Sequence, residues 1–504
     1  MTDKASQRRV TINAVAATLH VIVVGVSYLF LYVYLLKSLG AAQMGIYTLV
    51  LATSSIASLA NLGITSSLVK LVADFRARHT PEELNKLIYT ALVSIIILFS
   101  ILTLIAYFFG WLIIGYVVNI HNDYARLALQ ILPYSLICLF INELGGVFIS
   151  ILEGSQKNYI RNIIYIANNL FFLCLVFLLV PKYKLLGVAY AQVIQSASIT
   201  ICGFFTGKSL LDKFSIFKWN WSFKIFKQIL SYGSKIQAVS VFQMLYEPAT
   251  KTLLTKFGGL AAVAYYDMAT RLINQLRALI TNANQVLIPV IANASIRNLE
   301  EVRFWYKKAL SITLTANILL ISGILGMGSI VSYYWIGHHE MQFVFPLTVL
   351  AVATFVNIMS GPAFFCSMGE GRMNLLLWVN FIIAVLNIIG GIILGYFFKS
   401  KGVILAWGMS YAIGSFALMV VYQRNIRVRF KQIFSLKNDS WFIIISIIYS
   451  AASVFVFNSF KINYNLKTVL LTFIIYIIIF SPCIFLNKTL NGFLKKLIQR
   501  APQA

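Results

Sequence analysis

Residues 35–47 read LLKSLGAAQMGIY, and residues 253–266 read LLTKFGGLAAVAYY. With one inserted residue the second stretch repeats the first. Two further pairs follow in similar register: Glu153-Gly154 in FISILEGSQKN with Glu370-Gly371 in FFCSMGEGRMN, and Gly187-Val188 and Ala191 in GVAYA with Gly402-Val403 and Ala406 in GVILA. Each match is weak alone, but three in order at an offset of about 217 residues describe an internal duplication.

The sequence around these junctions is apolar. Of 504 residues, 60% are hydrophobic and 11% charged, and mean hydropathy is +0.83. Such a composition belongs to a membrane protein and excludes a soluble enzyme. Apolar spans fall at about 11–36, 42–70, 87–118, 125–152, 159–180 and 185–206, and again at about 226–256, 259–292, 306–335, 344–368, 373–397 and 402–423. An Ile-rich pair follows at about 441–458 and 466–487. The expected fold is an all-α polytopic membrane protein of about fourteen spans. Residues 1–209 form a first lobe, 210–225 a basic linker, 226–425 a second lobe, and 441–487 the final pair. An offset of six spans is even, so the repeats are parallel, with a pseudo-two-fold axis along the membrane normal and a central cavity between lobes. Transport by alternating access is the function such an arrangement suits.

The 41 Lys and Arg against 15 Asp and Glu leave a net charge of +26. With little length outside the spans, this excess implies a membrane face or an anionic substrate and not nucleic acid. Assigned to alternate loops, 28 basic residues fall on the termini and even-numbered loops and 9 on the odd-numbered ones. Basic loops resist translocation, which places both termini in the cytoplasm. The remaining four, Lys235, Lys251, Arg271 and Arg277, lie inside the seventh and eighth spans.

The eighth span reads DMATRLINQLRALITNANQ over residues 267–285, too polar to face lipid. On a helical wheel Asp267, Thr270, Arg271, Asn274, Arg277, Thr281, Asn282 and Gln285 share an arc of about 140°, with Leu272, Ile273, Leu276, Ile280 and Leu287 opposite. The seventh span carries Lys235, Gln243, Glu247 and Lys251 at multiples of four residues. Glu247/Lys251 and Asp267/Arg271 are i,i+4 pairs that either neutralise each other within the bundle or serve as coupling carboxylates and substrate cations. Arg277 and Lys235 have no acidic partner at helical spacing. Arg277 lies about 15 Å along the helix from Asp267, near mid-membrane, where a guanidinium needs water or an anion. Because the guanidinium fork suits phosphate, Arg271 and Arg277, about 9 Å apart, are candidates to bracket a diphosphate.

Other residues carry weaker signals. Asn13, His20 and Ser27 share a face of the first span, where His20 either titrates during transport or, as is more common for a lone membrane histidine, is a hydrogen-bonded packing residue. Glu143, in INELGG of the fourth span, is a candidate proton or cation site. Thr48, Ser55, Ser58 and Ser66 on the second span are ordinary packing hydroxyls or a sugar-accommodating wall. The stretch Gly203 to Ser209 has three residues between its glycines where a phosphate loop needs four, and it ends a membrane span. Cys138, Cys174, Cys202, Cys366 and Cys483 are isolated in apolar segments without metal or redox spacing. His338-His339 lie in a short loop without further ligands, and no catalytic motif points to an enzyme, a metal or a cofactor. The N-terminal apolar stretch is too long for a signal peptide and is expected to remain as the first span.

The 6+6+2 layout, the junctions LGAAQMGIY and EGSQKN with their repeats, and the cationic seventh and eighth spans together resemble the polysaccharide-type (O-antigen) flippases of the multidrug/oligosaccharidyl-lipid/polysaccharide exporter superfamily. The resemblance runs over nearly the full chain. It implies movement of a polyprenyl-diphosphate-linked oligosaccharide from the inner to the outer leaflet of a bacterial cytoplasmic membrane. It further implies diphosphate contacts at Arg271, Arg277 and Lys251, and spans 13 and 14 flanking a groove for the lipid tail. Membrane lipids, and a glycan polymerase or glycosyltransferases, are the implied partners, and a monomer suffices because one chain holds both lobes. The lipid II flippases of the superfamily also concentrate arginines in the first lobe, whereas the first two spans here offer Arg8 and Arg9 at their mouth. A multidrug cation antiporter would want acidic walls. A glycan-assembly scaffold without transport leaves the polar arc unexplained.

Overall fold

A computed structural model describes residues 2–57, 63–112, 122–211, 220–285, 287, 291, 294–295, 298–428, 444–446, 448–449, 452–453 and 466–486. Among them the regular elements are all helical: α1 Thr2–Ala57, α2 Ile64–Arg78, α3 Pro81–Leu112, α4 Asn122–Gly154, α5 Asn158–Lys208, α6 Phe223–Asn284, α7 Leu299–Ile336, α8 Met341–Gly369, α9 Met373–Asn425 and α10 Leu466–Leu486. Seven of these are long and apolar enough to cross a membrane. Four are much longer than one crossing, and each is interrupted by a single non-helical residue: Gly40 in α1, Lys184 in α5, Gly259 in α6 and Lys399 in α9. The first twelve expected spans coincide in position with these helices, the second divided between the end of α1 and α2, and α6, which holds the seventh and eighth, is not among the seven. The linker residues 212–219 and most of the thirteenth span lie outside the described residues.

These interruptions carry the duplication into backbone geometry. Gly40 (φ 78, ψ 166) and Gly259 (φ 78, ψ 175) share a conformation open only to glycine, and they are the residues that the one-residue insertion aligns. Lys184 (φ 49, ψ −127) and Lys399 (φ 53, ψ −136) form a second matched pair. After each the chain doubles back. A Cβ on Gly187 would fall 2.6 Å from the Leu179 carbonyl oxygen, and one on Gly402 would collide with the Leu394 carbonyl, so only glycine allows either hairpin to close.

The third junction corrects the sequence register. Ser155, Gln156 and Lys157 donate backbone N–H groups to Ile151, Glu153 and Leu152, and Glu370, Gly371 and Arg372 donate in the same pattern to Cys366, Met368 and Ser367. The equivalent residues are therefore Ser155 and Glu370, Gln156 and Gly371. Gln156 holds the positive φ that Gly371 holds in the second copy. Glu153 and Glu370 differ by two positions, and the paired Glu-Gly motifs coincide in letters, not in structure.

Helix starts follow local chemistry. Thr80 caps α3: its hydroxyl accepts from the Glu83 N–H while the Glu83 carboxylate accepts from the Thr80 N–H, with Pro81 as the first helical residue. Asn298 and Glu340 cap α7 and α8 through the N–H groups of Glu300 and Gln342.

The contacts divide the chain into two compact units, Met1–Ala264 and Tyr265–Ala504. The seventh span, assigned to the second lobe by the repeat, lies in the first unit. There Trp221 Nε1 donates to Ser94 at 3.3 Å and the Ser222 N–H donates to Thr90, fixing the start of α6 on α3. Gly63 meets Gly233 and Gly45 meets Leu260 backbone to backbone, too close for a side chain at either Gly63 or Gly45. The main core of this unit packs α2, α3 and α4 through Leu68, Val72, Leu87, Ile95, Phe99 and Val147, all fully buried.

Candidate functional site

Within the first unit, Glu247 and Lys251 form the anticipated pair on α6, Nζ to Oε1 2.7 Å, with the lysine 2% exposed and the carboxylate 50% exposed. The lysine is thus buried and neutralised from its open side. The side chains of Lys235 and Gln243 lie outside the described residues. Glu143 on α4 accepts from the Thr65 hydroxyl at 3.4 Å, so this carboxylate shares the start of α2. Ser150, one helical stretch further on, donates to the Thr65 carbonyl. Asn13 is a clip between helices: its amide oxygen accepts the Tyr159 N–H at 2.9 Å and its amide nitrogen donates to the Gln156 carbonyl. His20 lies against the Tyr165 ring, centroids 5.7 Å apart. Thr48 is buried and donates to the Gly45 carbonyl within its own helix.

Within the second unit the polar arc after Gly259 divides along its length. Asp267 and Thr270 are buried, Arg271 and Arg277 are partly open, and Asn274, Asn282 and Gln285 are exposed. The opposite side closes against protein through Ile273, Ile280 and Leu287. Lipid cannot satisfy the amides of such a polar face, so within a membrane it requires water or protein against it. Asp267 Oδ2 accepts from Arg271 Nε at 2.9 Å, so the second anticipated pair also forms. Thr281 is turned back onto the Arg277 carbonyl, and the neighbouring Asn284, absent from the candidates, accepts from Thr313 on α7 at 3.1 Å.

Arg277 differs from Lys251 and Arg271. Among the described residues no carboxylate pairs with it, and its Nε is buried without a hydrogen-bond partner. Its guanidinium carbon instead sits 6.0 Å from the centroid of the Tyr411 ring, which stacks on Trp407 at 4.8 Å. This arrangement leaves guanidinium donors for an anion, in the geometry that suits phosphate. Tyr411 and Trp407 were not among the sequence candidates. Their signal was available as an aromatic pair at i,i+4 spacing, but in a span rich in Phe, Met and Ile it reads as packing. His338 lies 3.3 Å from Glu340 at an exposed helix start, and no group of three metal-ligating side chains converges among the described residues. The described cysteines, Cys138, Cys174, Cys202 and Cys366, form no disulfide.

Comparison with known proteins bears on the family and the fold. The polysaccharide biosynthesis protein family matches residues 13–295. A Shigella flexneri protein with the provisional name O-antigen transporter is 21% identical over 403 residues, covering 78% of this chain and 93% of its own. Among solved structures, a lipid II flippase MurJ in an inward closed conformation superposes with a TM-score of 0.75 at 16% identity, covering 94% of this chain and 99% of its own. An inward-facing multidrug resistance MATE family transporter of the MOP superfamily gives 0.65 at 17% identity, with 83% and 94% covered. At these identities the two structures establish a shared fold, the one expected from the repeat.

Proposed function

This chain belongs to the polysaccharide biosynthesis protein family, and from that premise we propose that it is a flippase, carrying a polyprenyl-diphosphate-linked oligosaccharide from the inner to the outer leaflet by alternating access. The observation that carries the reading is Arg277, a cation on the partly exposed polar arc of α6, without a carboxylate among the described residues. A cation so placed needs an anionic ligand to offset its cost in the membrane. The name of the Shigella flexneri relative supports a surface-glycan cargo. Arg271, Lys251 and Lys235 are further candidates for the diphosphate. Asn274, Thr281, Gln285, Gln243, Asn13 and His20 are candidate polar contacts, and Glu247, Asp267 and Glu143 are candidate coupling or ion-pair carboxylates. The protein acts as a monomer in a bacterial cytoplasmic membrane with both termini inside, its two repeats forming the lobes, and it hands its cargo to a glycan polymerase or receives it from glycosyltransferases.

The test is translocation of a labelled undecaprenyl-diphosphate oligosaccharide in proteoliposomes, with leaflet exposure read by an impermeant sugar-modifying reagent. Loss of a charged hydrogen bond worth about 2 kcal/mol predicts that Arg277→Ala slows translocation roughly 30-fold at equal folded yield. Arg277→Lys, which keeps the charge but not the fork, lies between. A native protein that leaves this lipid in place under every imposed gradient while extruding cationic dyes would overturn the reading in favour of a drug antiporter.

A further inference from the structure

On the segment of α9 after Lys399, the exposed residues Leu405, Met409, Ile413 and Phe416 mark one side of the helix. At about 100° per residue, Trp407 and Tyr411 lie on the opposite side, turned into the bundle. Along that inward side Val403, Gly414 and Leu418 are buried, whereas Trp407 and Tyr411 keep part of their surface open. A packed core closes over its rings. These two are stacked on each other, tilted by 30°, and left uncovered beside the guanidinium of Arg277. Cation–π attraction accounts for Tyr411, but it leaves Trp407 unexplained, since the arginine meets only the first ring.

We propose that Trp407 and Tyr411 form a saccharide-stacking subsite continuous with Arg277, in which the guanidinium takes a phosphate and the aromatic faces take the hexose ring joined to it. This rests on the flippase reading and adds how the cargo's sugar is sensed. A pyranose presents C–H groups on its flat face and hydroxyls around its rim. The flat face packs on the electron-rich face of an indole or phenol while the rim stays in water. The order Arg277, Tyr411, Trp407 matches the order diphosphate, first sugar, so one lipid can engage all three side chains. Stacking of this kind tolerates different hydroxyl patterns, and it selects for the presence of a sugar more than for its identity.

The experiment measures equilibrium binding of two probes to the full chain in nanodiscs: undecaprenyl diphosphate, and the same lipid bearing one N-acetylhexosamine. Native protein is expected to prefer the glycosylated lipid by on the order of tenfold. Trp407→Ala should abolish that preference while leaving undecaprenyl diphosphate binding unchanged, and Trp407→Phe should restore it. Tyr411→Leu gives an independent reading should the tryptophan variant fold poorly, again lowering the preference. Arg277→Ala should weaken both probes by the same factor. An unchanged preference in folded Trp407→Ala and Tyr411→Leu overturns the subsite while leaving the flippase reading intact. Native protein that binds neither probe overturns both.

Discussion

Replacing Asp267 by Asn isolates the buried ion pair of the eighth span. The Asp267 side chain is 1% exposed and lies 2.9 Å from Arg271 Nε, whose side chain is 28% exposed. At an effective dielectric near 20 the gross attraction is about 6 kcal/mol. Arg271 can turn partly toward water once its partner is neutral, so the expected net loss in Asp267→Asn is roughly 2 kcal/mol. Arg271→Gln should cost more, about 3–5 kcal/mol, because it takes a cation away from a fully buried carboxylate. The double variant should recover much of this, with a coupling energy of about 2 kcal/mol in a double-mutant cycle read by equilibrium unfolding in mixed micelles. Additive losses would refute the pairing as a structural unit. The same proteins report on role: if the double variant folds and still translocates lipid, the pair serves structure, and if it folds without translocating, activity retained in Asp267→Asn assigns the loss to Arg271 while activity lost there assigns it to Asp267.

Lys184→Gly and Lys399→Gly should each stabilise the protein, by about 1 kcal/mol, since both lysines occupy a positive-φ conformation that glycine adopts freely; a fall in unfolding midpoint for either would mean that the side chain contributes more than the strain costs. At the start of α3, the His79 ring and then the Thr80 N–H hold the Glu83 carboxyl below its ordinary value of 4.5. A depressed carboxyl pKa means that the capping contribution is present above the unfolded value and disappears as pH falls through the lower folded one. Protection against amide exchange at residues 82–84 should therefore persist on acidification into the ordinary carboxylate range and be lost below it, whereas Glu83→Gln should show no such step.

The duplication was legible because two of its junctions depend on glycine for reasons of backbone geometry and close approach. Gly40 and Gly259 need a φ of 78°, and Gly187 and Gly402 lie against a carbonyl with no room for a Cβ. The remaining junction misled because a turn can place its positive φ on Gln156 in one copy and Gly371 in the other, so letters slip where hydrogen bonds do not. Charge at i,i+4 spacing correctly announced Glu247–Lys251 and Asp267–Arg271, since helical geometry alone brings such pairs together. Long-range partners were invisible: nothing in Asn13 or Glu143 names Tyr159 or Thr65, residues brought near by packing between helices. The aromatic pair stayed hidden because hydrophobicity cannot distinguish a ring facing lipid from one facing the interior.

Reversal over a single residue at Lys184 and at Lys399 leaves no slack in the chain. Each hairpin behaves as a stiff paddle, and a ligand resting on Trp407 would be carried by the eleventh and twelfth spans together. Tags or fluorophores spliced in at these two tips would pry the paddles open rather than ride on them. Probes meant to follow movement without disturbing it therefore belong at exposed helix starts such as Glu82 or Gln342, where the backbone is held by a cap and side chains stand clear.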